Sequence, residues 1–255
     1  MADGERMRYE VHDGVAWLTM CRPEARNALD AALRSALWQA LRRFRDDNTA
    51  RVAVLAGEGE VFCAGGDLRE MADTSMTTPP ADYLPQLNRN LILDKPVIAA
   101  VQGAALGGGF LLAQSADLCV ATEDAVLGIP EARWGRGAPW AAPLPWLVPP
   151  RVALEMLLTG EPLTASRAYD LGLVNAIARR AELLDVAGAL AARIAANAPL
   201  SVRAGKEMVY LAAGVEPETA FERAEAAFAP VYVSADAQEG PRAFRERRTP
   251  AWRGA

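Results

Sequence analysis

Apolar positions follow two spacings along the first two thirds of the chain, and together they predict strands alternating with helices. Short, mostly apolar runs of four to six residues predict strands. These runs are 15–20, 52–56, 97–101 and 118–121. Between the first two, Leu33, Leu37, Leu41 and Phe44 recur at helical spacing behind Asp30, a residue that caps helices well. The alternation predicts a layered α/β core.

The pattern changes in the last third, where helical spacing dominates. Thr164 can cap a helix that Gly172 ends, and four longer helical patterns follow at 182–196, 200–212, 218–233 and 236–246. Asp236 and Glu239 are spaced like a capping box. We place a domain boundary at Asn197, which divides an α/β body (residues 1–196) from a helical region (residues 197–255).

A polar segment at 73–82 interrupts the first pattern. It contains three threonines and two adjacent prolines, and neither strand nor helix spacing is present. Long irregular segments inside a compact domain commonly form pocket walls or lids. We therefore expect this loop to border a binding site.

Composition narrows the classes of function. The chain has 255 residues, 51% of them hydrophobic, and 27 basic against 32 acidic side chains give a net charge of −5. This balance disfavours nucleic acid as a partner. The single histidine, His12, lies in a strand–turn signal, so a zinc site rich in histidine cannot form and a solvated turn residue is expected.

The expected setting is the cytoplasm. Residues 1–10 are charged, without the apolar stretch of a signal peptide, and three scattered cysteines predict no disulfide framework. The apolar run 97–113 contains Gln102 and four glycines, so it is too short and too glycine-rich to span a membrane. No membrane partner and no metal site are predicted.

Two glycine-rich turns carry the main chemical signal. One is Phe-Cys-Ala-Gly-Gly-Asp-Leu at 62–68, and the other is the segment 103–111 with a glycine triplet at 107–109. Each stands between a predicted strand and a helix, where backbone N–H groups lack internal partners and favour an anion. The triplet fits neither dinucleotide nor Walker patterns. From spacing alone, close backbone packing remains an equal explanation.

Several motifs in this order resemble the enoyl-CoA hydratase/isomerase (crotonase) family. They are Asn-Ala-Leu from 27, the two glycine turns, Lys-Pro-Val-Ile-Ala-Ala-Val-Gln-Gly from 95, Ile-Pro-Glu at 129–131, Leu-Thr-Gly-Glu-Pro-Leu-Thr from 158, and the ending Arg-Arg-Thr-Pro-Ala-Trp at 247–252. The resemblance implies a spiral of ββα units with a C-terminal helical region. It also implies self-association as a trimer or a dimer of trimers.

The resemblance also assigns roles. Gly66 and Gly108 match the two N–H donors of the family's oxyanion hole, which stabilises an enolate formed from an acyl-CoA thioester. Coenzyme A (CoA) then enters as part of the substrate, and no permanently bound cofactor is implied. The positions matching the CoA site are Arg26, Ala64, Gly66, Asp67, Leu68, Arg69 and Gly108. Arg22 can also supply local positive charge, although an ordinary solvated arginine is the expectation there.

One position departs from the family pattern. Hydratases of this family usually carry two glutamates, whereas here the first position is Leu111 and only Glu131 remains. Two carboxylates divide the work of activating water and protonating carbon, while one carboxylate can shuttle a proton between two carbons. Glu131 is the expected general base, ahead of Asp67, Asp117 and Glu123, which are weaker candidates.

Three readings of function follow. The first is an enoyl-CoA hydratase/isomerase-like enzyme, of the hydratase (lyase) or isomerase class, that leans towards isomerisation or a specialised reaction. The second is a catalytically weak CoA-binding or scaffolding homologue, which Leu111 favours and Glu131 opposes. The third is nucleic-acid binding as a side activity, which the acidic charge balance disfavours. Trp134, Trp140 and Trp146 can wall an acyl pocket or pack internally, and both remain open.

Overall fold

A computed structural model of the protein describes residues 6–255. Residues 1–5 lie outside the described residues. They are the first half of the charged segment 1–10, for which no signal peptide is expected. The strands are β1 (Met7–His12), β2 (Val15–Met20), β3 (Val52–Gly57), β4 (Val97–Val101), β5 (Ala104–Leu106), β6 (Leu118–Thr122), β7 (Val126–Gly128), β8 (Leu163–Thr164) and β9 (Ala176–Ala178).

Helices surround these strands. They are α1 (Ala31–Asp46), α2 (Leu68–Asp73), α3 (Gly108–Ser115), α4 (Leu144–Leu147), α5 (Pro150–Thr159), α6 (Ala165–Asp170), α7 (Leu183–Ala195), α8 (Pro199–Ala212), α9 (Pro217–Tyr232) and α10 (Ala235–Glu246). Short 3-10 helices lie at Pro23–Ala25, Pro130–Trp134, Pro139–Ala141 and Arg180–Glu182.

The strands form two sheets, and the chain moves between them repeatedly. The larger sheet has the order β1-β2-β3-β4-β6-β9, in which only the β1–β2 pair is antiparallel. The smaller sheet has the order β5-β7-β8. After β4 the chain passes directly to β5 and then to α3, and after β6 it passes to β7. These strand–strand–helix units confirm the predicted α/β architecture.

Helix α1 forms as its spacing predicts. The Asp30 carboxylate accepts a hydrogen bond from the Leu33 amide at 2.8 Å, which caps the first turn. The apolar stripe of Leu33, Leu37, Leu41 and Phe44 is fully buried against the large sheet. Each such side chain contributes about 1.5–3 kcal/mol through burial. Helix α7 covers the other face of the sheet with Leu183, Ala187 and Ala191.

The apolar run 97–113 is part of this core. It divides into β4, β5 and the start of α3, and most of its side chains are buried in the sheets and under the helix. Among residues 6–255, no single helix has the length and apolar character to cross a membrane. By these two criteria alone, the bent pair Arg180–Ala195 and Pro199–Ala212, at 107°, passes as a unit.

The C-terminal helices begin and end within one or two residues of their predicted limits, but the predicted capping box is wrong. The Ser234 hydroxyl caps α10 by accepting from the Ala237 amide at 3.2 Å. The Glu239 carboxylate instead binds Arg248 and the Ala251 amide, and Asp236 accepts from the Arg253 amide. The end of the chain folds back onto α10 and supplies the hydrogen-bond donors for these two carboxylates. Local residue spacing does not predict this contact.

Helix α8 is tied to the body by a buried ion pair. Lys206 lies 2.9 Å from the Asp117 carboxylate, which also accepts from the Tyr210 hydroxyl at 2.9 Å. Helix α9 packs along α8, yet none of its residues is buried within the chain. Phe221, Tyr232 and Phe244 are each more than two-thirds exposed on this region. An apolar surface of this kind lacks a partner within one chain.

Candidate active site

The two glycine turns lie against each other between the sheets. The Cys63 amide donates to the Ala104 carbonyl at 3.0 Å, and the Leu106 amide donates to the Cys63 carbonyl at 3.1 Å. A Cβ atom at Gly109 would lie 2.2 Å from that Cys63 carbonyl oxygen, a distance no side chain tolerates. Gly109 is therefore required for close packing of the two segments.

Gly66 and Gly108 present backbone N–H groups on the same side of this junction. A Cβ atom at Gly108 would lie 3.8 Å from the Gly66 nitrogen, so the two residues are immediate neighbours. Among residues 6–255, neither N–H group has an acceptor. The neighbouring amides are used, since Leu29 donates to the Gly65 carbonyl at 2.8 Å and Gly107 donates to the Gly128 carbonyl at 3.0 Å. Two adjacent free donors can stabilise an oxyanion.

Gly107 makes room for the Glu131 carboxyl group. Its φ of +53° suits glycine, and a Cβ atom there would lie 3.0 Å from the Glu131 Oε1 atom. The glycine triplet thus serves both packing and a site: Gly109 packs on Cys63, Gly108 presents its N–H, and Gly107 admits the carboxyl group. Close packing therefore explains Gly109, while an anion-binding role for the free Gly108 N–H stays a prediction.

Burial controls the protonation of Glu131. This residue follows Pro130 in the first turn of a 3-10 helix, and its Oε2 atom is buried without a hydrogen-bond partner in the described chain. Burial raises the pKa of Glu131 to about 7, because the charged form loses its hydration. A carboxyl group that titrates near neutral pH can both accept and return a proton.

Glu131 and both free N–H groups open into one cavity of about 730 Å³. Its other walls are largely apolar and include the predicted loop after α2. Among the lining residues are Ala64, Leu68, Met71, Thr78, Pro79, Tyr83, Leu84, Leu111, Trp134, Arg136 and Trp140. Leu111 is 2% exposed and lies one turn into α3, where its amide donates to the Gly107 carbonyl at 2.9 Å. A small molecule of drug size fits such a cavity.

The residues matched to the CoA site divide into two groups. Ala64, Gly66, Leu68 and Gly108 line the cavity, whereas Arg26, Asp67 and Arg69 do not. Arg26 and Arg69 are exposed beside it, and the Arg26 carbonyl accepts from the Ala64 amide at 3.0 Å. Their side chains are available to solvent-borne anions.

Asp67 and Arg22 have structural partners. The Asp67 carboxylate caps α2 by accepting from the Arg69 and Glu70 amides, and it pairs with Arg22 at 2.8 Å. This partner lowers the pKa of Asp67. The solvated reading of Arg22 is wrong, because its guanidinium also contacts Asp30 at 3.2 Å. Asp117 is engaged by α8, and Glu123 is exposed outside the cavity.

The aromatic segment after Glu131 contributes two of its three predicted tryptophans to the cavity wall. Trp134 and Trp140 line it, and Trp140 also packs edge-on against Phe110 with ring centres 6.2 Å apart. Trp146 is 72% exposed and does not line the cavity. The packing and pocket readings therefore hold together for Trp140.

The contacts that hold Tyr83 in the cavity wall were not predicted from the sequence. The Arg34 guanidinium lies 4.2 Å from the centre of the Tyr83 ring, donates to the Tyr83 hydroxyl at 3.1 Å, and pairs with Glu70 at 2.5 Å. These residues come from α1, α2 and the following loop, so no local spacing connects them. They hold one cavity wall in place. In the described chain, no cluster of three metal-ligating side chains is present.

Comparisons with known proteins agree with this geometry. A family model described as Enoyl-CoA hydratase/isomerase matches residues 10–255. Carnitinyl-CoA dehydratase from Salmonella paratyphi A is 40% identical over 248 residues, which cover 93% of this chain and 94% of that protein. The same enzyme from Salmonella typhi is 39% identical over the same coverage.

Solved structures of enoyl-CoA hydratases are also similar to this chain. An enoyl-CoA hydratase from Mycobacterium tuberculosis is 39% identical with a TM-score of 0.90, covering 98% of this chain and 100% of that one. An enoyl-CoA hydratase from Mycobacterium marinum is 38% identical with a TM-score of 0.89 and the same coverage.

The raised pKa of Glu131 predicts a pH-dependent stability. Between its ordinary pKa of 4.5 and about 7, the folded chain holds a proton that the unfolded chain releases. The free energy of unfolding of the wild type should therefore fall, relative to Glu131→Gln, as pH rises through this interval, and the difference should level off above it. Urea unfolding of both proteins at equal concentration measures this. A constant difference across the interval would show an unperturbed carboxyl group.

Proposed function

The chain belongs to the enoyl-CoA hydratase/isomerase family, and we propose that it moves a proton on an acyl-CoA thioester through an enolate, using a single carboxylate. One observation carries this proposal. The Glu131 carboxyl group, with one buried oxygen unpartnered in the described chain, shares a cavity with the free N–H groups of Gly66 and Gly108.

The proposed step is a balanced proton transfer. Ionised Glu131 takes a proton from the carbon next to the thioester carbonyl, and the C–H electron pair moves towards the carbonyl oxygen. The N–H groups of Gly66 and Gly108 donate to that oxygen, and one such donor contributes roughly 3–4 kcal/mol in other enzymes. Protonated Glu131 then returns the proton to carbon. No group beyond the substrate's own CoA is required.

The CoA portion is proposed to lie along the turn before α2. Ala64, Gly66 and Leu68 line the cavity at this turn, and Asp67 holds the turn by capping α2. Arg26 and Arg69 are exposed on the same side, and their guanidinium groups suit CoA phosphates. The net charge of −5 does not oppose this, because Arg26 and Arg69 can supply positive charge locally.

The leucine at position 111 favours isomerisation or a specialised reaction over hydration. A buried leucine neither activates water nor moves a proton, so Glu131 alone serves both carbon positions. The names of the relatives, dehydratase and hydratase, instead support addition or removal of water. Both reactions pass through the same enolate.

Self-association as a trimer or a dimer of trimers is also proposed, with residues 197–255 as the assembly region. Exposed Val209 and Phe221, together with a helix α9 that buries no residue within the chain, support it.

Replacing Glu131 with glutamine tests the proton transfer directly. The variant keeps the shape of the side chain and removes the base, so exchange of the α protons of butyryl-CoA into D2O should fall about 100-fold or more. NMR follows this exchange without any assumption about the product. Glu10→Gln, an exposed change on β1, serves as the control. Wild-type exchange rates in Glu131→Gln would remove Glu131 from the mechanism.

Leu111→Glu tests the lean towards isomerisation. The wild type should convert cis-3-hexenoyl-CoA faster than it hydrates trans-2-hexenoyl-CoA. The variant should raise the ratio of hydration to isomerisation about tenfold, because it restores a second acid–base group. Leu111→Gln is the control: it introduces a side chain of the same size as glutamate without an acid–base group, so it should not raise the ratio of hydration to isomerisation. Hydration as fast as isomerisation in the wild type would contradict the lean, whatever the variants do.

Light scattering tests assembly. A particle of three or six chains at micromolar concentration is expected, since the apolar residues of α8 and α9 then bury against other copies. Phe221→Asp should shift the particle towards smaller species. A stable wild-type monomer would contradict the proposed assembly.

A further inference from the structure

A second charged group, Arg136, lies in the wall of the cavity that holds Glu131. The 3-10 helix that starts at Pro130 ends at Gly135, whose φ is +62°, and the chain then turns back. The Arg136 amide donates to the Glu131 carbonyl at 2.9 Å. The position of Arg136 is thus set by the same short turn that positions the base.

The guanidinium of Arg136 is only partly satisfied. It is half-buried, and its Nη1 atom donates to the Met76 carbonyl at 2.9 Å. Among residues 6–255, no carboxylate lies within 4 Å of it. A guanidinium carries five N–H donors in a planar fork that fits a carboxylate. Donors therefore remain for a ligand.

Arg136 is one of the few charged residues in a cavity wall that is otherwise largely apolar. Most lining side chains near the base are apolar or aromatic, among them Met71, Leu84, Leu111, Trp134 and Trp140. The other charged lining residues are Glu131 and Arg89, and Arg89 is exposed and bonded to Gln86 at 2.6 Å. An apolar acyl chain would gain nothing from a buried cation, which costs free energy to desolvate.

We propose that the acyl group of the natural substrate carries a carboxylate, and that Arg136 binds it. This inference rests on the proposed acyl-CoA function and names its substrate class. Arg26 and Arg69 are exposed outside the cavity and are the residues available to the CoA phosphates, so Arg136 faces a different part of the ligand. Arg136 is here a specificity-determining residue. An acyl group ending in a cation, such as trimethylammonium, is disfavoured by the same charge.

Binding of saturated acyl-CoAs, which the proposed reaction does not convert to another compound, tests the proposal separately from turnover. The probes are glutaryl-CoA, which ends in a carboxylate, neutral pentanoyl-CoA, and 4-(trimethylammonio)butyryl-CoA, titrated by calorimetry. The wild type should bind glutaryl-CoA at least about tenfold more tightly than the other two, as expected for a hydrogen-bonded charge pair. Arg136→Met should abolish this preference while changing the affinity for pentanoyl-CoA less than threefold. Arg136→Lys should retain part of it.

Arg89→Met, which removes the other cavity cation, should leave the preference for glutaryl-CoA intact. Equal wild-type affinities for the three probes would overturn the proposal. So would an equal loss for glutaryl-CoA and pentanoyl-CoA in Arg136→Met, since that result assigns the guanidinium to the Met76 loop or to CoA phosphates. If the preference depends on Arg136 but α-proton exchange is absent, the proposed function fails while the assigned ligand class stands.

Discussion

The close approach of two backbone turns is the constraint on which the site depends. Contact between the Cys63 carbonyl and Gly109 allows no side chain at that glycine, and the same junction leaves Gly66 and Gly108 side by side. The neighbouring Leu29 and Gly107 amides are engaged in backbone bonds, whereas the N–H groups of Gly66 and Gly108, two residues that line the cavity, have no acceptors in the described chain. The proposed oxyanion site consists of backbone groups, which need little rearrangement when charge develops.

The same approach determines the state of the carboxyl group. Gly107 leaves space for Glu131 beside the junction, and the apolar surroundings remove its hydration, which raises its pKa to about 7. An ordinary surface glutamate is too weak a base to match a carbon acid. Leu111 is also buried and lines the same cavity.

The arginines in and around the cavity differ in their exposure to solvent and in their partners. Arg22 is paired with Asp67 and Asp30 and stabilises the turn, while Arg26 and Arg69 are exposed to solvent and do not line the cavity. Arg136 alone combines a cavity position with partial burial and unused donors within the described chain. We propose a different task for each group of arginines: Arg22 stabilises the turn, Arg26 and Arg69 attract phosphates, and Arg136 selects the acyl group.

The family resemblance singled out Glu131, while local pattern by itself determined strands β2, β3, β4 and β6, the capped helix α1 and the glycine turns, because spacing and residue type suffice for these. It did not determine the end of the chain, where Glu239 binds Arg248 instead of forming a capping box. Nor could it determine the free N–H groups, the raised pKa of Glu131 or the place of Arg136. Those properties depend on burial and on distances between segments tens of residues apart, which exist only once the two sheets bring the segments together.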